Sequence, residues 1–137
     1  MPFQFSTASV NAALDALETA IGVGAVLKIR TGAAPATVAT IDAGTVLATL
    51  NLPADWMAAA AARSKAKLGT WEDLLADAAG IAGHFRIYAA DGTTAHIQGP
   101  IVQGTTAADG EMALVNTSIT AGQPVTVTAF TLTGPAA

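Results

Sequence analysis

Between residues 81 and 102 the chain alternates apolar and polar positions with a period of two. Phe85 and Ile87 alternate with His84, Arg86 and Tyr88, and after Ala90-Asp91-Gly92 the residues Ala95 and Ile97 alternate with Thr94, His96 and Gln98. This pattern predicts a β-hairpin around which the other elements are arranged. A short loop ending in Gly92 fits a type I turn followed by a left-handed residue, a conformation glycine adopts without a Cβ clash. The expected register sets Phe85 opposite Ile97 and Ile87 opposite Ala95 on the core face. It sets Arg86 opposite His96 and His84 opposite Gln98 on a polar, partly covered face. A slip by one residue would send Arg86 into the core, so the choice of face is firmly specified.

The period changes to helical over residues 9–21, where Val10, Ala13, Leu14, Leu17 and Ile21 form one stripe and Asp15 and Glu18 lie off it. Ser9 is the expected N-cap and Gly22 the stop. Ahead of it, Phe3 and Phe5 flank Gln4 in an arm expected to dock, either on its own core or on another subunit. Residues 25–30 predict a strand, with Leu27 and Ile29 facing one way and Lys28 and Arg30 the other. A loop with Thr31-Gly32 and Pro35 follows, then the turn signal Asp42-Ala43-Gly44. Residues 45–52 predict the next strand, with Val46, Ala48, Leu50 and Leu52 on one face and Pro53 at its end.

Two segments are ambiguous. Alanine propensity favours a short helix over 55–62, followed by an extended basic segment in which Arg63, Lys65 and Lys67 alternate. Residues 70–79 fit either a capped helical turn or a loop feeding the hairpin. Further on, 103–110 is a polar loop, 112–116 a short strand, and 121–124 a turn into a last strand over 125–133. In that strand Val125, Val127 and Ala129 share a face while Phe130 and Leu132 lie on the other, so a bulge near Ala129 or a doubly covered strand is expected. These elements predict a mainly β fold: an antiparallel β-sandwich of six to eight strands with one N-terminal helix. The expected organisation is a single domain over 1–137, with an arm at 1–8, the helix at 9–21 and the sandwich at 25–133.

Composition sharpens this picture. The chain is 52% hydrophobic and alanine-rich, with two Trp, one Tyr and four Phe, which predicts thin layers of small side chains in the core. Only 12% of residues are charged, against roughly 25% in an ordinary soluble domain, which predicts that much of the surface meets protein. A net charge of −4 and a pI near 4.8 argue against a nucleic-acid partner. There is no cysteine, hence no disulfide and no thiolate site. No basic segment precedes an apolar one at the N-terminus, so no secretory signal is read and synthesis in the cytoplasm is expected. The alanine-rich run at 57–62 is too short to span a bilayer, and no membrane role is expected.

Candidate chemistry is sparse. Gly22-Val23-Gly24 begins like a dinucleotide fingerprint, but the sixth position is Leu27 and the segment follows a helix, so it reads as a helix stop. His84 and His96 share the polar face of the hairpin, with Arg86 between them to repel a metal ion; no metal or cofactor is expected. Glu72, Asp73 and Asp77 lack the separation across a cleft that glycoside hydrolysis needs. They read as a solvated face or as intersubunit partners for Arg63, Lys65 and Lys67. No nucleophile-plus-base motif is present, and no enzymatic activity is expected. Asn116-Thr117-Ser118 matches a glycosylation sequon, which means little without a secretory signal. Trp56 and Trp71 fit either contact anchors or ordinary core.

Four stretches carry a resemblance: AGHFRIYAADGTT at 82–94, LVNTSITAGQPVTVTAFTLT at 114–133, LNLPADWM at 50–57 and the segment 65–71. Together they resemble small structural proteins in the virions of tailed bacteriophages, most of all capsid decoration, or cement, proteins. The resemblance implies a virion component made in the bacterial host cytoplasm, of head or tail. The low charge, the aromatic arm and the neighbouring basic and acidic segments add the expectation of a homotrimer that stabilises the head shell from its outer surface, with the major capsid protein and itself as partners. The expected interface residues are Phe3, Phe5, Trp56, Arg63, Lys65, Lys67, Trp71, His84, Arg86 and His96. Two alternatives stand beside it: a tail or tail-tip component, and a glycan-binding module stacking sugars on Trp56, Trp71 and Tyr88.

Overall fold

The structure is a computed structural model that describes residues 3–134; residues 1 and 2 of the expected arm and residues 135–137 lie outside the described residues. Among the described residues one helix, α1 (Thr7–Ile21), precedes nine strands: β1 (Val26–Thr31), β2 (Val46–Asn51), β3 (Ser64–Ala66), β4 (Glu72–Asp73), β5 (Gly80–Tyr88), β6 (Ala95–Gln103), β7 (Met112–Leu114), β8 (Ser118–Ile119) and β9 (Val125–Thr133). The fold is mainly β with one helix, as the pattern predicts. The strands, however, join in one path, β2-β1-β5-β6-β7-β9-β3, with β4 on β9 and β8 on β5. The sheet is mixed, because β6 and β7 run parallel, pairing Ile101 with Met112 and Gln103 with Leu114. It also curls: Asp73 of β4 accepts the Thr49 N–H of β2 at 3.0 Å, so a carboxylate covers an edge that would otherwise invite another strand.

The central hairpin forms with the predicted faces but a register two residues away. Phe85 pairs with Gly99, Arg86 with Gln98 and Ile87 with Ile97, and the register shifts before Tyr88 pairs with Ala95, which leaves His96 as the extra residue. The cause is the turn. Asp91 accepts the N–H groups of Thr93 and Thr94, both at 2.8 Å, and the Thr94 hydroxyl, which organises a longer loop than the three residues expected. Gly92 does take the left-handed conformation, at φ 70°. A shift of two preserves each side chain's face, but beyond the bulge at His96 the faces reverse, and Ala95, expected on the core face, pairs with Tyr88 on the polar one.

α1 begins two residues earlier than predicted. Ser6, in an extended conformation, is the N-cap, and its Oγ accepts the N–H of Ser9 at 3.1 Å. Phe5 just before the cap and Val10 line the same shallow pocket, the arrangement of a hydrophobic staple. Gly22 ends the helix at φ 91°.

The helix expected over 55–62 does not form. Met57 instead bridges to Lys67 and Ala61 to Ser64, across a two-residue turn in which Ala62 and Arg63 have φ of 51° and 65°. Backbone donors of the segment go instead to α1 side chains: Met57 N–H to Glu18, Ala60 N–H to Asp15 and Arg63 N–H to Asn11. Burial of Trp56 and Met57 completes the competition, and alanine propensity loses. Residues 70–79 take the loop alternative, apart from the two residues of β4.

The core is not built of small side chains alone. Trp56, Trp71, Phe130 and Phe85 form a chain of ring contacts, with successive centroids 5.9, 5.7 and 5.3 Å apart. Leu27, Ile29, Leu50, Ile87 and Val127 fill the space around them. Phe130 joins this core because β9 breaks its alternation: Ala113 pairs with Ala129 but Leu114 with Val127, leaving Thr128 as the extra residue. The Thr128 hydroxyl reaches the carbonyls of Gly104 at 2.7 Å and Ala113 at 3.0 Å. The bulge expected near Ala129 is therefore present. A second one displaces Leu47 in β2, where Ile29 pairs with Ala48 and Arg30 with Val46.

Candidate functional site

Alternation in β1 and β5 puts cations side by side on the face away from the aromatic core. The register sets Arg30 beside His84 and Lys28 beside Arg86, and Arg86 beside Gln98 on β6. Across this face runs the irregular segment 32–45. Glycine allows it to lie close: a Cβ on Gly83 would collide with the Gly32 carbonyl, and one on Gly44 with the Thr31 carbonyl.

Asp42 is the hub of the contact. Its Oδ1 accepts from Arg86 Nη1 at 2.9 Å and from the Tyr88 hydroxyl at 2.7 Å, and its Oδ2 from Arg30 Nη2 at 3.0 Å. Arg86 also donates to the Thr37 carbonyl and to Gln98, whose own amide donates to the Pro35 carbonyl. His84 Nδ1 lies 2.9 Å from the Gly32 carbonyl, to which it donates. Burial pushes the Asp42 carboxyl up, but the Tyr88 hydroxyl and the two guanidiniums outweigh it and hold the group below the usual carboxylate range. Burial and the bond to Asp42 raise the Tyr88 phenol.

The face expected to be only partly covered is thus closed: His84, Arg86 and Tyr88 are buried, and only His96 is exposed. The cleft of about 360 Å³ beside it is lined by 38–42, Arg86 and 93–95. Arg86 uses Nε and both terminal nitrogens on protein oxygens, so the cluster locks the segment to the sheet, while Arg30 Nε and His84 Nε2 are buried beside it without a hydrogen-bond partner.

The basic segment is likewise occupied within its own chain. Lys65 is buried and bonds Asp15 at 2.7 Å, Glu18 at 3.0 Å and the Ala58 carbonyl at 2.9 Å, which docks α1 on β3. Burial opposes its charge, yet the two carboxylates outweigh that and raise its pKa. Arg63 donates to the Phe5 carbonyl. Lys67 donates to the Gly69 carbonyl and lies 5.9 Å from the Trp71 ring centroid. The expected acidic partners point elsewhere: Asp73 and Asp77 both bond Thr49, and Glu72 is exposed.

Trp56 and Trp71 are core residues, with indole N–H groups on the carbonyls of Gly22 and Leu68. With Tyr88 also buried, none of the three offers a face to a sugar. Phe3 is 92% exposed and Phe5 48%, so the arm does not dock on its own core beyond the staple. Of the ten expected interface residues, Trp56, Lys65, Trp71, His84 and Arg86 are buried, Arg63 and Lys67 half-buried, and Phe3, Phe5 and His96 exposed.

Sequence reasoning passed over Asp42 as a turn residue, although it is the only acid between β1, which presents Lys28 and Arg30, and β2. It also passed over the exposed aliphatic residues Leu74, Leu75, Ile81 and Val115, which follow no period. Of the six lysines and arginines none is fully exposed, while large apolar side chains are. Among the described residues no cluster of three His, Asp or Glu could hold a metal, and no helix is long and apolar enough to cross a membrane. Comparison with protein-family models, characterised proteins and solved structures finds no match.

Proposed function

We propose that this chain is a structural subunit of a tailed-phage virion: a decoration protein that assembles as a homotrimer on the outer head shell and binds the major capsid protein. The observation that carries this reading is the surface. It has no fully exposed cation, yet Phe3, Phe5 and several large aliphatic side chains stand in solvent. Exposed apolar area is unfavourable at about 25 cal/mol per Å², and burial against protein recovers it. Phe3 in particular has nothing among the described residues to cover it. In a closed ring each arm lies on the next subunit through a repeated heterologous contact. Linked subunits then multiply weak footholds on a symmetric shell through effective concentration.

The test replaces Phe3 with Ser, which leaves the Ser6 cap and the Phe5–Val10 staple of α1 intact. The parent is expected to have the mass of a trimer and to bind undecorated shells of its phage, and the variant to fall to monomers and bind weakly. A variant that keeps both properties removes the arm from the reading. A parent that sediments with purified tails and not with heads replaces the decoration role with a tail role.

A further inference from the structure

The end of the molecule away from the arm carries a second apolar surface. β9 runs from Val125 to Thr133, about 26 Å at the usual strand rise, and Gly134 beyond it lies against Val10 of α1 at the arm end. At the Val125 end three segments are tied together. The loop after β4 bonds the 121–124 turn through Ala76 N–H to the Gln123 carbonyl and Gly122 N–H to the Ala76 carbonyl, both at 2.9 Å. The start of β5 pairs with β8, Ile81 beside Ser118, and Ala82 N–H bonds the Thr117 carbonyl. These segments expose Leu74 (63%), Leu75 (71%), Ile81 (62%) and Val115 (65%). Beside them a cleft of about 170 Å³ is lined by Leu114, Val115, Pro124 and Val125.

The charges near this surface have one sign. Glu72 and Asp77 are exposed and Asp73 is half-buried. Each of the six cations is engaged elsewhere: Arg30 and Arg86 with Asp42, Lys28 with the Gly92 carbonyl in the hairpin turn, Arg63 with the Phe5 carbonyl, Lys65 with α1, and Lys67 with Gly69 and Trp71. We infer that this aliphatic, acid-edged pole is a docking surface for a different protein, one that presents an aliphatic patch flanked by lysine or arginine. A second copy does not fit, because it has no fully exposed cation to offer and would set Glu72 and Asp77 against their own kind. That the partner is a shell protein rests on the function proposed above; the surface and its preference for a basic partner do not.

Two amphipathic helical peptides, one of lysine and leucine and one of glutamate and leucine in the same pattern, probe the pole directly. The lysine peptide is expected to bind at least about tenfold tighter, and more weakly as salt is added. Replacing Leu74 and Leu75 with Ser removes apolar area without changing charge, and should weaken that binding about tenfold with an unchanged melting temperature. Glu72→Lys should weaken it a few fold. Equal binding of both peptides, or full binding by the Leu74→Ser/Leu75→Ser variant, overturns the inference. So does a drop in that variant's oligomeric mass, which would make the pole a self-contact. With undecorated shells, loss of binding by the serine variant at unchanged mass supports the inference, and full binding overturns it. A parent that takes the lysine peptide as expected but no shell defeats the shell assignment and leaves the docking surface standing.

Discussion

On one side of β5, Phe85 and Ile87 meet the aromatic core; on the other, His84, Arg86 and Tyr88 lie under the 32–45 segment, equally buried. The first side is held by contact area and the second by matched donors and acceptors. Apolar packing is non-directional, so Phe85 needs only a cavity of its own shape, which Gly99 helps to leave open: a Cβ there would sit 2.9 Å from the ring. The polar side is directional. Arg86 fixes Thr37, Asp42 and Gln98 at once, and the irregular segment has no backbone ladder of its own to hold it otherwise. One strand therefore shows what each kind of burial is suited to: area for the sheet's interior, a planar fork for a segment without secondary structure.

The largest test of the difference is on the apolar side. Phe85→Ala should destabilise by about 4 kcal/mol, as the cavity would open between Phe130 and Gly99. Denaturant unfolding measures it, and a loss below about 1 kcal/mol would show that the ring does not support the core. On the polar side Arg86→Ala should cost about 3 kcal/mol, because it leaves Gln98 and the Thr37 carbonyl short of partners. Arg86→Lys should recover less than half of that, since an ammonium cannot serve three acceptors in one plane. If lysine restores full stability, the fork geometry is irrelevant and only the charge counts.

This contrast also explains what the sequence made legible. The apolar side of β5 follows from alternation alone, and so does burial of Leu27 and Ile29 in β1 and of Leu50 in β2. The α1 stripe holds at Val10, Leu14 and Ile21 but leaves Ala13 and Leu17 exposed. A bulge in β2 buries Leu47, which the alternation puts on the other face, and the broken period of β9 points to a bulge or to a doubly covered strand. The polar side shows in sequence only as polar residues. Its burial depends on Asp42, some forty residues distant, and no local period connects the two. The same holds for Lys65, whose partners Asp15 and Glu18 lie on α1, and for residues 55–62, where those acids and Asn11 take the backbone donors and override alanine propensity. The exposed aliphatic pole was invisible for the opposite reason. Leu74, Leu75, Ile81 and Val115 are ordinary hydrophobic residues until the structure leaves them outside.

The smallest effect separates the two sides by pH. The Asp42 carboxyl is held below its usual range, with burial outweighed by Tyr88, Arg30 and Arg86. A depressed pKa in the folded state means that, on acidification, the unfolded chain takes up this proton first. The stability Asp42 contributes is complete above the unfolded value of about 4 and is lost as pH falls through the folded value. Asp42→Asn should therefore be less stable than the parent at pH 7, and its deficit should shrink by about 1 kcal/mol by pH 3, a modest figure because the carboxylate is a third exposed and screened. Asp15 is also depressed, and Asp91 is held at about 2 by Thr94 and Thr93, but both are present in parent and variant and cancel in the difference. Phe85→Ala supplies the contrast, since its side has nothing to titrate and its deficit should be the same at both pH values. Urea unfolding of the three proteins at pH 7 and pH 3 measures all of this. A constant Asp42→Asn deficit would mean that the carboxylate is not what holds the 32–45 segment against β5.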